Sequence, residues 1–239
     1  MKEKIYTIPV TDAFESNCEC PLCFMEHKLE EEAIQYVMGP SYMEDDVRTV
    51  TNELGFCKYH VEILSKQKNT LGLALMLQTH MAKTTKDIHK LVTSSKSSGG
   101  LFKKKDSLNN APLLEYINKL EDSCYICDKV NTTMDRYIDT IFMLWNKEES
   151  FRDKLKNSKG FCAKHFGLLH KVSAQKLSIK ESNEFLDVLN KLYTDNLDRV
   201  SEDLEWFIKK FDYRYQNEPW KDSKDAVQRT IIKTNGKII

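Results

Sequence analysis

Glycine and proline are scarce, with 8 and 5 among 239 residues, too few for the many tight turns of a β-sandwich or barrel. Long hydrophobic runs are missing as well. The longest apolar stretch, Leu71 to Leu77, falls far short of the roughly 20 residues that span a bilayer, and Met1 to Thr7 contain no apolar core of a secretion signal. Formal net charge is zero, which argues against nonspecific attraction to nucleic acid or to an anionic membrane. What remains is a globular chain, 41% hydrophobic and 30% charged, rich in Lys, Glu, Leu and Asp. That composition points to an all-α protein large enough for two compact units. Cytoplasmic location is the expectation.

Charge is uneven along the chain. Residues 15 to 53 hold ten acidic side chains against Lys28 and Arg48, a net of −8, and residues 54 to 105 hold ten lysines against Glu62 and Asp87, a net of +8. The simplest reading places an acidic helical arm beside a basic one.

Seven cysteines are present, and six of them fall in a pattern that recurs. Cys20-Pro21-Leu22-Cys23 precedes Gly55-Phe56-Cys57-Lys58-Tyr59-His60, and Cys124-Tyr125-Ile126-Cys127 precedes Gly160-Phe161-Cys162-Ala163-Lys164-His165. The second CxxC follows the first by 104 residues and the second CxxH follows the first by 105, as expected of an internal duplication. A CxxC pair places two thiolates on one ion, and a distant Cys and His complete a tetrahedron. In a reducing compartment such cysteines read as metal ligands or redox groups in preference to disulfides.

Taken in chain order, the motifs give two Cys3His sets, Cys20, Cys23, Cys57 and His60 in the first copy and Cys124, Cys127, Cys162 and His165 in the second. The fold expected is therefore two tandem helical-bundle units, each stapled by its own metal site. The borderline-soft Zn2+ ion suits mixed sulfur and nitrogen donors, so two zinc ions are expected, with an iron–sulfur centre as the alternative. Four protein ligands leave no open position, which makes the ions structural.

Periodicity supplies the rest of the outline. Residues 1 to 17 show no clear period and contain Pro9, so an extended arm is expected. A helix follows Cys20 and ends at Gly39-Pro40; at roughly 25 Å long, it obliges the chain to fold back, through a shorter helix in Ser41 to Glu53, for Cys57 to reach Cys20. Cys57 to His60 opens another helix, and apolar residues continue from Leu71 to Val92. The first unit is bounded at 1–92. Residues 93–110 carry a Ser/Gly/Lys composition that predicts a mobile linker, and 111–239 form the second unit. There Val130, Met134, Tyr137, Ile138, Ile141, Leu144 and Trp145 trace one helical stripe. Phe151 to Lys156 makes a return, Ser178 precedes a long helix, and the aromatic tail with a last helix in Ser223 to Lys233 packs back on the body.

Residues outside the two sets receive ordinary readings. Cys18 is a free thiol or an occasional substitute ligand, and His27, His80, His89 and His170 are satisfied or solvated histidines. Phe56 and Phe161 anchor the ligand turns. Trp206, Phe207, Phe211, Tyr213, Tyr215 and Trp220 with nearby cations could stack bases, but helix packing and tail docking account for most of that cluster.

The order C-P-L-C, G-F-C-x-x-H, C-x-x-C, G-F-C-x-x-H, with W-K-D-S-K-D-A near the end, resembles a family of uncharacterised cytoplasmic proteins of Gram-positive anaerobic bacteria, classed as a domain of unknown function. The resemblance covers nearly the whole chain and implies no reaction or partner. No nucleotide, hydrolase or zincin motif is recognisable. The function expected is a non-enzymatic zinc-binding scaffold or adaptor for a protein partner. A redox- or metal-responsive switch is the first alternative, and a nucleic-acid-binding protein using Lys103 to Lys105 and the tail is the second.

Overall fold

A computed structural model describes residues 3–97 and 111–238. Among the described residues there is no strand; the chain is all-α. The α-helices are α1 (Glu3–Glu15), α2 (Pro21–Met38), α3 (Asp45–Leu54), α4 (Lys58–Ser65), α5 (Thr70–Ser97), α6 (Ala111–Asp122), α7 (Tyr125–Lys147), α8 (Glu149–Asn157), α9 (Ala163–Lys176), α10 (Ile179–Lys209) and α11 (Ala226–Asn235). Short 3-10 turns occupy Pro40–Met43 and Tyr213–Tyr215.

Packing divides the chain into two compact units, one made of 1–29 together with 133–239, the other of 30–132. This division differs from the expected succession of 1–92 and 111–239, because the boundaries fall within α2 and within α7. Part of the expected linker is helical, since α5 continues to Ser97; residues 98–110, with Lys103 to Lys105, lie outside the described residues.

In the discontinuous unit the predicted stripe of α7 is the core: Met134, Tyr137, Ile138, Ile141, Leu144 and Trp145 are all buried. Phe185 from α10 meets both Phe142 and Trp145 at 5.1 Å between ring centroids. Ser178 starts α10 with a full capping box, its hydroxyl accepting from the Glu181 N–H while the Glu181 carboxylate takes the Ser178 N–H, which satisfies two donors that the helix itself cannot.

The N-terminal segment corrects one expectation. Residues 3–15 are helix and not an extended arm. Pro9 lies inside α1 and removes one intrahelical hydrogen bond, yet Val10, Ala13 and Phe14 are buried. Phe14 stacks edge-on against Phe151 at 5.0 Å and Phe161 at 6.1 Å. Tertiary burial of one face outweighs the local penalty.

The contiguous unit packs α3 on α5. The Arg48 guanidinium donates to the Leu75 carbonyl and the Thr79 hydroxyl, each at 3.1 Å, and Glu53 pairs with Lys83 at 3.2 Å, so the acidic arm does lie beside the basic one here. Asn69 serves two helices. Its side-chain oxygen accepts from the Gly72 N–H at the start of α5, and its NH2 donates to the Met38 carbonyl at the end of α2, both at 2.9 Å.

Candidate metal centres

Every ligand-type pair sits on the first turn of a helix. Cys57 and Cys162 are the N-cap residues of α4 and α9, and Cys20 and Cys124 immediately precede α2 and α7. Three residues on, Cys23, Cys127, His60 and His165 occupy the third helical position. Cap and third position face the same side of a first turn, so the x-x spacing presents both donor atoms together. The positive end of each helix dipole points toward the sulfurs and favours thiolate. The turn into each CxxH helix needs its glycine: φ is 58° at Gly55 and 76° at Gly160, the left-handed region that L side chains rarely adopt. A Cβ at Gly55 would also lie 2.6 Å from the His80 ring.

These pairs assemble into two quartets, Cys20, Cys23, Cys162 and His165 in one unit and Cys57, His60, Cys124 and Cys127 in the other. Within each quartet the donor atoms lie within 4.8 Å of one another. His165 Nδ1 is 3.5 Å from Cys20 Sγ and 3.3 Å from both Cys23 and Cys162 Sγ. His60 Nδ1 is 3.3 Å from Cys57 and Cys124 Sγ and 3.4 Å from Cys127 Sγ. Sulfur–sulfur separations are 3.4 Å for Cys23–Cys162 and 3.9 Å for Cys57–Cys127. A tetrahedron with zinc-like bond lengths has edges of about 3.6 to 3.8 Å, so both quartets could hold a metal ion with little movement.

The pairing overturns the in-order assignment. Cys20 and Cys23 are joined by Cys162 and His165, not by Cys57 and His60; Cys124 and Cys127 are joined by Cys57 and His60. Each centre combines the CxxC of one motif copy with the CxxH of the other. The spacing within each copy, 33 and 34 intervening residues, gives no preference for one partner over the other. The chain does not return from α2 to Cys20 as expected; it delivers Cys57 to the other unit.

Electrostatics show why a cation suits these positions. Burial pushes the Cys20 thiol up to about 12, and Cys23 is raised by hydrogen bonding to Cys162 and Cys20 and then by burial. Cys162 is strongly lowered because both neighbouring thiols donate to it. In the other quartet burial and the charges of Cys124 and Cys57 hold Cys127 up at about 12. Burial opposes ionisation of Cys124, but the His60 hydrogen bond prevails and brings it to about 6. His60 is penalised by burial, yet its bonds to Cys124 and Glu30 raise it to about 10. The raised thiols, Cys20 and Cys23 in one cluster and Cys127 in the other, hold their protons more tightly, whereas Cys162 and Cys124 give theirs up more readily. A divalent cation replaces those protons and allows all the sulfurs to be thiolates.

The second ring nitrogen of each histidine is also engaged. His60 Nε2 lies 3.0 Å from Glu30 Oε1, and His165 Nε2 lies 3.4 Å from Glu26 Oε2. A carboxylate behind a ligating imidazole fixes its tautomer and turns Nδ1 toward the metal.

The sequence model for DUF6062, a family of unknown function, matches residues 1–239. The chain belongs to this family. Neither a curated protein nor a solved structure matches it. Among the described residues of this DUF6062 protein, no helix is long and apolar enough to cross a membrane.

Several residues of this DUF6062 chain that bear on the centres carry no motif of their own. Glu26 and Glu30 are two of the four glutamates on α2. Lys233, on α11, is buried and donates to the carbonyl of Glu19 at 2.8 Å and to the carbonyl of Lys159. Its ammonium also meets the Glu19 carboxylate at 3.2 Å, which Arg199 binds at 2.6 Å. Glu19 and Lys159 directly precede Cys20 and Gly160, so Lys233 ties together the two turns that carry the ligands. In the other unit the same job falls to the Tyr125 N–H, which donates to the Gly55 carbonyl at 3.0 Å. The matching residue to Tyr125 is Pro21, which has no N–H to give. Gly236, with φ of 67°, ends α11 directly over the first quartet; a Cβ there would lie 3.3 Å from Cys162 Sγ and 3.6 Å from Cys23 Sγ.

The remaining candidates stand outside both quartets. The Cys18 thiol accepts from the Ser16 hydroxyl at 3.1 Å and is raised by burial. His80 bonds the Asn52 carbonyl at 2.8 Å and His170 the Asn190 side chain at 2.6 Å; His27 and His89 are exposed on their helices. Phe161 is fully buried and Phe56 half-buried beside Tyr125. In the tail, Trp206, Phe207, Phe211, Tyr215 and Trp220 pack on one another. Lys210 turns inward to the carbonyls of Tyr215, Gln216 and Glu218, whereas Phe211 and Tyr213 are exposed.

Proposed function

We propose that this protein is a non-enzymatic, cytoplasmic zinc protein in which two closed Cys3His centres stiffen helical units that serve as a scaffold or adaptor for a protein partner. One observation carries the reading: each quartet gathers three sulfurs and one imidazole nitrogen within 4.8 Å at the N-termini of two helices. Four protein donors fill the tetrahedron and leave no position for substrate or water. The ion's contribution is then folding free energy. Three thiolates and a carboxylate-backed imidazole suit Zn2+ in preference to harder ions.

The test is elemental analysis of protein purified without added metal, followed by chelation. Two zinc ions per chain, and loss of cooperative thermal unfolding when they are stripped, are the expected results. Iron with sulfide-dependent visible absorption would replace zinc with a cluster. Identical melting of stripped and loaded protein would remove the structural role. Affinity capture from the native host, with the zinc-loaded chain as bait and the stripped chain as control, tests the adaptor role; equal recovery on both defeats it.

A further inference from the structure

The two quartets have the same donor set but unequal surroundings. Around Cys20, Cys23, Cys162 and His165 the exposures are 1%, 2%, 0% and 1%. A Cβ at Gly236 would fall within 3.6 Å of two of these sulfurs, and Lys233 locks the turns that carry them. In the other quartet Cys124 and His60 are buried, but Cys57 and Cys127 are only half-buried. Their sulfurs are 3.9 Å apart, so the two less buried residues supply one edge of the tetrahedron. That edge is the side from which an incoming donor would approach a bound ion, opposite buried Cys124 and His60, which Glu30 backs at 3.0 Å.

We infer that the Cys57/His60/Cys124/Cys127 centre is an exchange site that passes its zinc to a soft thiol or nitrogen-donor acceptor, whereas the Cys20/Cys23/Cys162/His165 centre is a permanent staple. The inference rests on the reading that both quartets hold zinc. In the exchange step the acceptor's thiol forms a zinc–sulfur bond, the bond to Cys127 Sγ breaks, and the acceptor's proton ends on Cys127. With a thiol acceptor the count of zinc–sulfur bonds is unchanged; with a nitrogen donor a zinc–nitrogen bond replaces the bond to sulfur and the freed thiolate takes its proton from water. No oxidation state changes in either case. A second exchange at Cys57 would leave the ion held by two acceptor donors together with His60 and Cys124, and substitution of those two would complete the transfer. Ligand exchange at closed zinc sites depends on the access of the attacking group to the metal, and access is what differs here.

The experiment uses the full chain, loaded with zinc and assayed for metal content first. Excess 4-(2-pyridylazo)resorcinol is added and the coloured zinc complex followed in time. One equivalent is expected to leave at least about tenfold faster than the other, a barrier difference of about 1.4 kcal/mol. In parallel, limited N-ethylmaleimide followed by peptide mass spectrometry should label Cys57 and Cys127 ahead of Cys20, Cys23 and Cys162. Cys57→Ser should abolish the fast phase and keep the slow one; the alkylation order in unaltered protein decides the matter should that variant fail to fold. Two equivalents leaving at one rate, or early labelling of Cys162, overturns the inequality while leaving both zinc sites intact. A purified chain without zinc overturns the zinc reading itself.

Discussion

Lys233 and Glu19 meet twice, the ammonium bonding the backbone carbonyl of Glu19 at 2.8 Å and its carboxylate at 3.2 Å, both groups being buried. The contact secures the residue before Cys20 to the last helix, 214 positions away. A buried ion pair is weak evidence for net stability, but removing one partner leaves the other charged and desolvated. Arg199 retains part of the compensation for Glu19.

Lys233→Met should therefore destabilise the discontinuous unit by about 3 kcal/mol, read as a lower midpoint in urea with an unchanged slope. Zinc release from the Cys57 centre should stay at the unaltered rate. A midpoint matching the unaltered protein would show that the other contacts of α11, among them the Arg229–Asp203 pair at 2.7 Å, suffice to hold it.

The exchanged pairing of motifs makes a second prediction about metal counts. Cys23→Ser and Cys162→Ser should each cost the same zinc ion, so the double variant should still retain one. Cys23→Ser combined with Cys57→Ser should retain none, whereas pairing in chain order would leave one. Elemental analysis of the four proteins distinguishes the two arrangements.

Glu30→Gln keeps the shape behind His60 but removes the charge. Loss of such a carboxylate typically weakens metal affinity by roughly 10- to 100-fold, and competition against a chelator of known affinity measures it. Far-ultraviolet circular dichroism of the zinc-loaded variant should not change. Unaltered affinity would reduce Glu30 to an incidental neighbour.

Gly236→Ala places a methyl group against Cys162 Sγ and forces a left-handed backbone on alanine. A penalty of about 1 to 3 kcal/mol is expected, accompanied by faster loss of the slow zinc equivalent. Gly167→Ala, on α9 with open space at its Cβ position, is the control and should be neutral or slightly stabilising.

Phe14→Ala tests the helix hidden at the N-terminus. Its ring is buried against Phe151 and Phe161, so a loss of about 3 to 5 kcal/mol follows from the transfer and cavity terms. A solvated arm would show almost none.

Much of this structure could be read from residue order alone. The stripe from Met134 to Trp145 has helical spacing and became a buried face, and Ser178 marked the start of α10. The eight Cys and His positions stood out because spacing of three on a helix's first turn is a local property. Partner choice is not local. Either CxxH could have met either CxxC, and the outcome depended on where α2 and the residues after it delivered Cys57. For α1, Pro9 obscured a helix whose stability comes from Phe14 and Val10 packing on distant segments. Glu26, Glu30 and Lys233 escaped notice because their roles depend on contacts made across the fold, and nothing in their immediate neighbours distinguishes them from surface charges.

The interleaved chain path orders events during synthesis. Residues 30–132 contain all four donors of their own centre, so a metal ion could close that unit while the ribosome is still adding residues. The other unit has no such option: Cys20 and Cys23 emerge early and must wait for Cys162, His165 and finally α11. For that interval the first cysteine pair lacks the two donors that complete its quartet.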